Sequence, residues 1–407
     1  MGKSSSKRLE QTTFKLQSLL NITLAINENL SQEELLHRYE SLILDDFNIG
    51  KLLLYKFSGE WSCILASGVE DDSYLNINVE EDLTCYTEIS FIASAPSEAL
   101  QNFDIIIPVH HKGHPLAYVV LGDLEEGEGV SPIIKHLNFV QTLSNIILVA
   151  IENIRLFNES LRQQAIRKEL ELASKMQNML IPDQSMLPQN DRLLMTAFYH
   201  PHLEVGGDYY DYISLSKNEF GFCIADVSGK GMSAALLMSN FQANLRAMFT
   251  QEISLEALVE KLNERVIHAA NGEKFITLFL GRYSFKTREL LYINAGHNRP
   301  MLYLKNSKEI VLLDKGCVGM GMVDDIPFIS KGSIILKEPA KILCYTDGLV
   351  ELLDGKGVTV ETTDIESCLK NDDNIYDNIN DIIDKQGILD GSTKIFDDIS
   401  MLGIEIL

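Results

Sequence analysis

Between Leu143 and Met179 apolar side chains return at helical spacing, and that stretch limits how the rest of the chain can be arranged. Leu143, Ile147, Ala150, Ile154, Phe157 and Leu161 alternate steps of four and three, a heptad seam on one face of a continuous helix. The seam then steps by four to Ala165 and by four again to the polar Glu169, before Leu172, Met176 and Met179 resume it. Two successive steps of four are a stutter, which locally unwinds a left-handed supercoil. Pro182 ends the pattern. A helix over 138–182 thus joins two blocks of different character, and 407 residues exceed one domain. The seam either packs on its own domain or pairs with a second copy as a parallel coiled coil, making a homodimer with helix rotation stored at the stutter.

The block before the helix, 11–149, opens with a helical pattern. Ser31 and Glu34 follow as a capping box, each able to satisfy the other's backbone donor. Strand-like runs cover Lys51–Phe57, Trp61–Ser67 and Asp104–Gly122, the last broken by a turn at His111-Lys112-Gly113-His114. Helix, hairpins and a closing helix describe a small α+β domain. By order of elements it resembles a GAF sensory domain. The first six residues, Met1-Gly2-Lys3-Ser4-Ser5-Ser6, fit the spacing of an N-myristoylation signal, but a frayed polar terminus reads the same way. No apolar segment follows that would make a signal peptide.

The chain carries 58 acidic against 35 basic side chains, a formal charge of −23. That sign repels phosphate backbones and anionic lipid, so neither nucleic acid nor membrane is an expected partner. The longest uninterrupted apolar run near the middle is Ile146–Ile151, well short of the ~18 residues of a membrane helix. Cys63, Cys85, Cys223, Cys317, Cys344 and Cys368 show no CxxC pairing, which suits reduced core thiols of a cytoplasmic protein.

The block from 191 to 407 alternates strands with turns: Gly221–Val227, Ile276–Phe285, Leu290–Asn294, Ile342–Tyr345 and Ile399–Ile406. Helical patterns lie at Met232–Phe249 and Leu255–Ala270, which suggests helices covering packed antiparallel sheets. The acid-rich 354–398 stretch reads in bulk as solvated surface. Within the block four aspartate positions stand at strand ends: Asp208 after Gly206-Gly207, Asp226 before Val227-Ser228-Gly229-Lys230-Gly231, Asp347 before Gly348, and the pair Asp397-Asp398. Like charges gathered at one sheet edge repel unless protonated or bridged by cations, and oxygen-only donors suit hard divalent ions. Each acid alone is equally a turn residue. Strand alternation puts Asp208 on the face of Tyr210 and Tyr212 and Asp211 on the other, and points Asp397 and Asp398 apart.

Rival motifs fail. The run Ser228–Ser233 lacks the first glycine and the Ser/Thr of a P-loop, because Ile224 and Gly231 occupy those places. His110, His111 and His114 fit a solvated hairpin tip, and His200 and His202 have no partner ligand nearby.

Five ordered motifs, Gly206–Asp211, Asp226–Ala235, Asn294–Pro300, Tyr345–Glu351 and Asp397–Ser400, resemble the bacterial SpoIIE/RsbU branch of the metal-dependent, type 2C protein phosphatases. The resemblance implies an αββα β-sandwich and hydrolysis of phosphoserine or phosphothreonine with two Mn²⁺ or Mg²⁺ ions. It implies as substrate a phosphorylated anti-sigma-factor antagonist of STAS fold. Asp226 then corresponds to the bridging metal ligand, with the Val227 carbonyl beside it. Asp347 and Asp397 or Asp398 correspond to further ligands, and Asp208 to the acid holding the second ion's water shell. Together Asp208, Asp226, Asp347 and Asp397 would be the catalytic set. The Asn294–Pro300 turn falls near the site, His297 being structural. Where the eukaryotic branch has Asp-Gly-His, this chain has Asp226-Val227-Ser228, and Ser228 cannot act as the general acid. The alternative is a catalytically inactive pseudo-phosphatase that signals by binding and dimerisation.

Overall fold

The computed structural model describes residues 2–28, 30–69, 72–92, 98–111, 114–124, 136–352, 362–391 and 393–407. Two compact units emerge, Met1–Gln164 and Ala165–Leu407. Each is built around its own core.

In the first unit, α1 (Gly2–Asn27) and α2 (Gln32–Ser41) precede β1 (Ile49–Phe57), β2 (Trp61–Ser67), β3 (Ser90–Phe91), β4 (Ile105–His111) and β5 (His114–Leu124). The capping box forms as expected: the Glu34 amide donates to Ser31 Oγ, and the Ser31 amide donates to the Glu34 carboxylate at 2.9 Å. The strands make one antiparallel sheet in the order β2-β1-β5-β4-β3. Residue alternation gives it two buried faces. Leu52, Leu54, Ile107, Val119 and Leu121 pack on the helices, while Leu53, Tyr55, Ile106, Tyr118 and Val120 pack on Ile77, Val79, Leu83 and Phe103. The turn at Lys112-Gly113 lies outside the described residues.

The predicted long helix is α3, Leu137–Asn178. Its seam has two fates. Leu143, Ile147 and Ala150 are consumed by the first unit's core, where Tyr39 Oη and Ser144 Oγ also meet at 2.6 Å. Further along, Phe157 is 63% exposed, Leu161 48%, Leu172 61% and Met176 64%. An eighteen-residue window of α3 reaches a mean hydropathy of 1.3, enough by length and composition to cross a membrane, although half of that window is buried within the protein. Counting only uninterrupted apolar residues misses this window, because isolated polar side chains break the run; the expectation is corrected to that extent.

The second unit contains β6 (Gln189–Asn190), β7 (Leu193–His200), β8 (Tyr209–Ser216), β9 (Glu219–Val227), α4 (Met232–Met248), α5 (Leu255–Ala270), β10 (Ile276–Ser284), β11 (Glu289–Ala295), β12 (Met301–Leu304), β13 (Glu309–Leu312), β14 (Gly316–Cys317), β15 (Gly332–Ile335), β16 (Ala340–Tyr345), α6 (Thr362–Leu369), α7 (Ile375–Lys385) and β17 (Ile399–Ile406). One six-stranded sheet runs β14-β11-β10-β9-β8 with β15 on β11, and the other runs β13-β12-β16-β17-β7-β6. Alternate residues of the second sheet divide between two cores. Leu302, Ile342, Leu402 and Ile404 join Phe222, Ile224 and Leu278 of the first sheet, while Met301, Tyr303, Leu343 and Met401 meet Ile365, Ile379 and Ile382. With Leu237, Phe241, Leu258 and Leu262 from α4 and α5 in the shared core, the layering is helices, sheet, sheet, helices.

One expectation is corrected here. The acid-rich stretch before Asp398 holds α6 and α7, whose Ile365, Cys368, Ile375, Ile379, Ile382 and Ile383 are buried. Acids line only the outward faces of those helices, and the apolar spacing of α7 is that of an amphipathic helix.

Candidate metal-binding active site

The acids stand where strands end. Asp226 is the penultimate residue of β9, opposite Thr277 of β10. Asp347 follows β16 by two residues, and Asp397 and Asp398 lead directly into β17. Asp208 immediately precedes β8. One sheet supplies Asp208 and Asp226 and the other supplies Asp347 and Asp397, so pairs far apart in sequence interact at one end of the sandwich.

Local geometry explains the glycines before Asp208. A Cβ on Gly206 would lie 2.2 Å from Asp398 Oδ2, and one on Gly207 would lie 2.8 Å from the Val227 carbonyl oxygen. Only bare backbone allows that approach. The gap is closed by hydrogen bonds: Asp398 Oδ2 accepts from the Gly207 amide at 2.7 Å, and its Oδ1 accepts from the His202 amide at 2.8 Å. Asp398 therefore clamps the 202–207 loop against the start of β17. Thr346 Oγ1 donates to Asp208 Oδ2 at 2.9 Å and accepts from the Ser400 amide at 2.9 Å, which fixes the carboxylate's orientation. Asp211 points the other way. It is fully buried and makes a two-pronged ion pair with Arg246 of α4, each contact 2.7 Å, with the Tyr209 hydroxyl also donating to it.

Like charges leave an electrostatic signature. Burial, and then the charges of Asp347 and Asp397, push Asp226 up to about 7. Burial and the nearby Asp226 raise Asp208 well above the ordinary carboxylate range. Asp347 is raised by burial and by Glu351 and Asp397. A cation placed among these groups would lower all three.

The donor set suits hard dications: several carboxylates and the Val227 carbonyl, with no thiolate or imidazole required. Among the described residues, no three acids close to a ready-made coordination cage. A basic side chain also stands among them. Lys230 Nζ pairs with Asp397 Oδ2 at 2.9 Å and donates to the Phe396 carbonyl. It sits in a loop where Gly229 and Gly231 adopt φ of +80° and +78°, a conformation that glycine permits. Lys274 braces the same loop, donating to the Ser228 carbonyl at 2.8 Å. Sequence spacing points to neither lysine nor to Thr346: Lys230 lies inside the Asp226–Ala235 motif, but nothing in the sequence indicates its partner.

The remaining sequence candidates fall into structural places. Ser228 Oγ accepts from the Phe275 amide at 2.9 Å, so its hydroxyl is committed to the loop. His297 is buried, and its Nδ1 meets Thr277 Oγ1 at 2.9 Å. Burial lowers its pKa to about 4, leaving a neutral ring at pH 7. Of the other histidines, His202 contributes its backbone amide to Asp398 and His200 stacks on Phe198. All six cysteines are free.

Residues 216–407 match the sequence model of the family described as Stage II sporulation protein E (SpoIIE). The chain is 26% identical over 208 residues to the phosphoserine phosphatase RsbU of Bacillus subtilis (strain 168), covering 51% of this chain and 61% of that protein. It is 29% identical over 190 residues to the phosphoserine phosphatase RsbP of the same organism, covering 46% of each. The aligned regions thus span roughly half the length of these relatives. Among solved structures, the SiaA-PP2C domain of Pseudomonas aeruginosa matches with a TM-score of 0.52 at 18% identity, over 60% of this chain and 99% of that one, a likeness of fold.

Proposed function

We propose that the C-terminal domain is a serine/threonine phosphatase domain of the SpoIIE/RsbU type, as its similarity to that family and to two phosphoserine phosphatases supports, and that the whole chain removes phosphate from phosphoserine or phosphothreonine on a regulatory protein, under control of its N-terminal unit. The observation that carries this reading is the crowding of Asp208, Asp226, Asp347 and Asp397 at adjoining strand ends of the two sheets, where burial and neighbouring carboxylates raise the first three. Structural acids gain nothing from such crowding; a dication site does.

Asp226 would hold two ions together, with the Val227 carbonyl, Asp347 and Asp397 completing the set and Asp208 orienting the water around one ion. Bound there, Mn²⁺ or Mg²⁺ supplies charge neutralisation on the phosphoryl oxygens and activation of water. The protein's own part is positioning. Asp398 holds the 202–207 loop, Thr346 aims Asp208, and Lys274 fixes the loop that carries Lys230. His297 is neutral with its Nδ1 on Thr277, and Ser228 is no substitute for the histidine acid of the eukaryotic branch, so we assign the leaving oxygen's proton to water.

The substrate class expected from the family resemblance is a phosphorylated anti-sigma-factor antagonist of STAS fold. The exposed half of the α3 seam supports a parallel homodimer that couples the N-terminal unit to the chemistry. Incubating the purified chain with Mn²⁺ and a phosphoserine-bearing STAS protein should release inorganic phosphate, and excess chelator should stop it. Equal release in chelator would overturn the metal-dependent reading. No release from any phosphoprotein, with manganese bound, would favour the pseudo-phosphatase.

A further inference from the structure

The turn between β11 and β12 carries chemistry that the carboxylate centre does not use. A cavity of about 370 Å³ opens beside it, lined by Arg299, Met301, Leu312, Tyr345, Val350 and Glu366 among others. Tyr345 and Val350 stand two residues before and three after Asp347, so the cavity adjoins the catalytic edge. A second cavity, about 470 Å³, lies on the other side of the turn toward Cys317 and Phe328, and His297 and Arg299 border both.

Three polar groups here have unused capacity. Asn298 Nδ2 is buried without a hydrogen-bond partner, and His297 Nε2 is buried without a full one. Arg299 is exposed, and among the described residues no carboxylate pairs with it. Among the described residues this leaves the guanidinium available at the border of two cavities. Buried donors without partners cost free energy unless something else satisfies them. The first cavity's wall sets the apolar side chains of Met301, Leu312 and Val350 beside Arg299, with Glu366 also on its lining.

We propose that this turn is the substrate-docking site: the cavity takes an apolar side chain of the phosphorylated protein, and Arg299 pairs with an acidic residue beside it. The proposal rests on the phosphatase reading and adds a specificity to it. Tyr345 and Val350 flank Asp347 and line the cavity, so the recognised pair lies within a few residues of the phosphoserine on an extended segment. Arg299 presents a planar fork that matches a carboxylate, and charge complementarity of this kind sets partner choice. A substrate that is itself acidic would otherwise be repelled by the net charge.

The test uses the full chain and fluorescent phosphoserine peptides that carry Leu-Asp, Leu-Lys or Ala-Ala in that window, with binding read by anisotropy. The native protein should prefer Leu-Asp over Leu-Lys by about tenfold. Arg299→Glu should invert that order and Arg299→Gln should flatten it, while Leu312→Asp should weaken every leucine peptide. The proposal is overturned if the native protein shows no preference, or if Arg299→Glu keeps the native order. Phosphate release from the same peptides with Mn²⁺ is scored separately. Its absence counts against the phosphatase reading, while the binding order still decides the docking site.

Discussion

Lys230 sets its ammonium 2.9 Å from Asp397 Oδ2, so one of the proposed metal ligands is already paired with a cation from the chain itself. Both side chains are partly exposed, at 41% and 31%, which limits the pair to about 1 kcal/mol. An incoming dication must displace that ammonium or share the carboxylate with it. Lys230→Met should therefore tighten Mn²⁺ binding about three- to fivefold by titration calorimetry. Weaker binding would mean that the lysine helps to hold the site open.

Crowding of the carboxylates should cost the metal-free protein stability. Asp226 is held in an environment that opposes its charge, from burial and from Asp347 and Asp397. Asp226→Asn removes the charge and keeps the shape. Without metal, the variant should melt higher than the native protein by roughly 2–6 °C, for ~1–2 kcal/mol in a domain of this size. Adding Mn²⁺ should raise the native melting temperature and leave the variant's unchanged, and phosphate release should vanish. A variant less stable than the native chain in chelator would show that Asp226 has a structural role.

The first unit should respond to acid through a different pair. Glu152 of α3 accepts from Arg155 and, at 2.8 Å, from the buried Lys56 of β1, and these two partners lower its pKa to about 2. Because the folded value lies below the unfolded 4.5, the stabilisation is complete above pH 4.5 and is lost as pH falls through about 2. Trp61 is the single tryptophan and lies in β2, so its fluorescence reports this unit within the whole chain. Glu152→Gln should flatten the acid limb of the Trp61 unfolding curve between pH 4.5 and 2. An unchanged limb would assign the acid sensitivity elsewhere.

Much of this arrangement can be read from the residues, and what cannot has physical reasons. β9, β16 and β17 are apolar runs with acids at one end, so both the strands and the aspartates they position are legible, and β10 is legible as an apolar run. The α4 and α5 patterns were legible too. β12 and β13 are only four residues each, below the length at which periodicity separates strand from loop. For α6 and α7, composition hid the pattern: Ile375, Ile379, Ile382 and Ile383 lie among aspartates, and charge density masked a helical face. Contacts such as Lys230 with Asp397 or Thr346 with Asp208 join residues well over a hundred positions apart, and spacing carries no information about them. The seam of α3 shows a further limit. A heptad pattern requires a covered face without saying whether the cover is the chain's own sheet, as at Leu143 and Ile147, or another helix.

The uncovered part of that seam gives a sharp test of association. Phe157 and Leu161 are 63% and 48% exposed, and among the described residues neither joins a core as Leu143 does. Paired in parallel, two α3 helices would bury these residues against their symmetry mates, each apolar side chain contributing on the order of 1.5–3 kcal/mol when fully covered. Phe157→Glu places two carboxylates face to face across the two-fold axis, where burial and repulsion act together. Sedimentation equilibrium should show a dimer for the native chain and a monomer for the variant, with metal affinity unchanged because Phe157 lies twenty positions before Gln177, where α3 is tied to Gly206 of the carboxylate centre. Deleting Arg162–Glu169 tests the stutter in the same way, because Leu172 then follows Leu161 by a step of three: the dimer should persist with a continuous seam, and phosphate release from a small phosphopeptide should continue. Only the dependence of that release on the N-terminal unit should change. A native chain that sediments as a monomer across the micromolar range would remove the coiled coil, and with it this route from sensor to site.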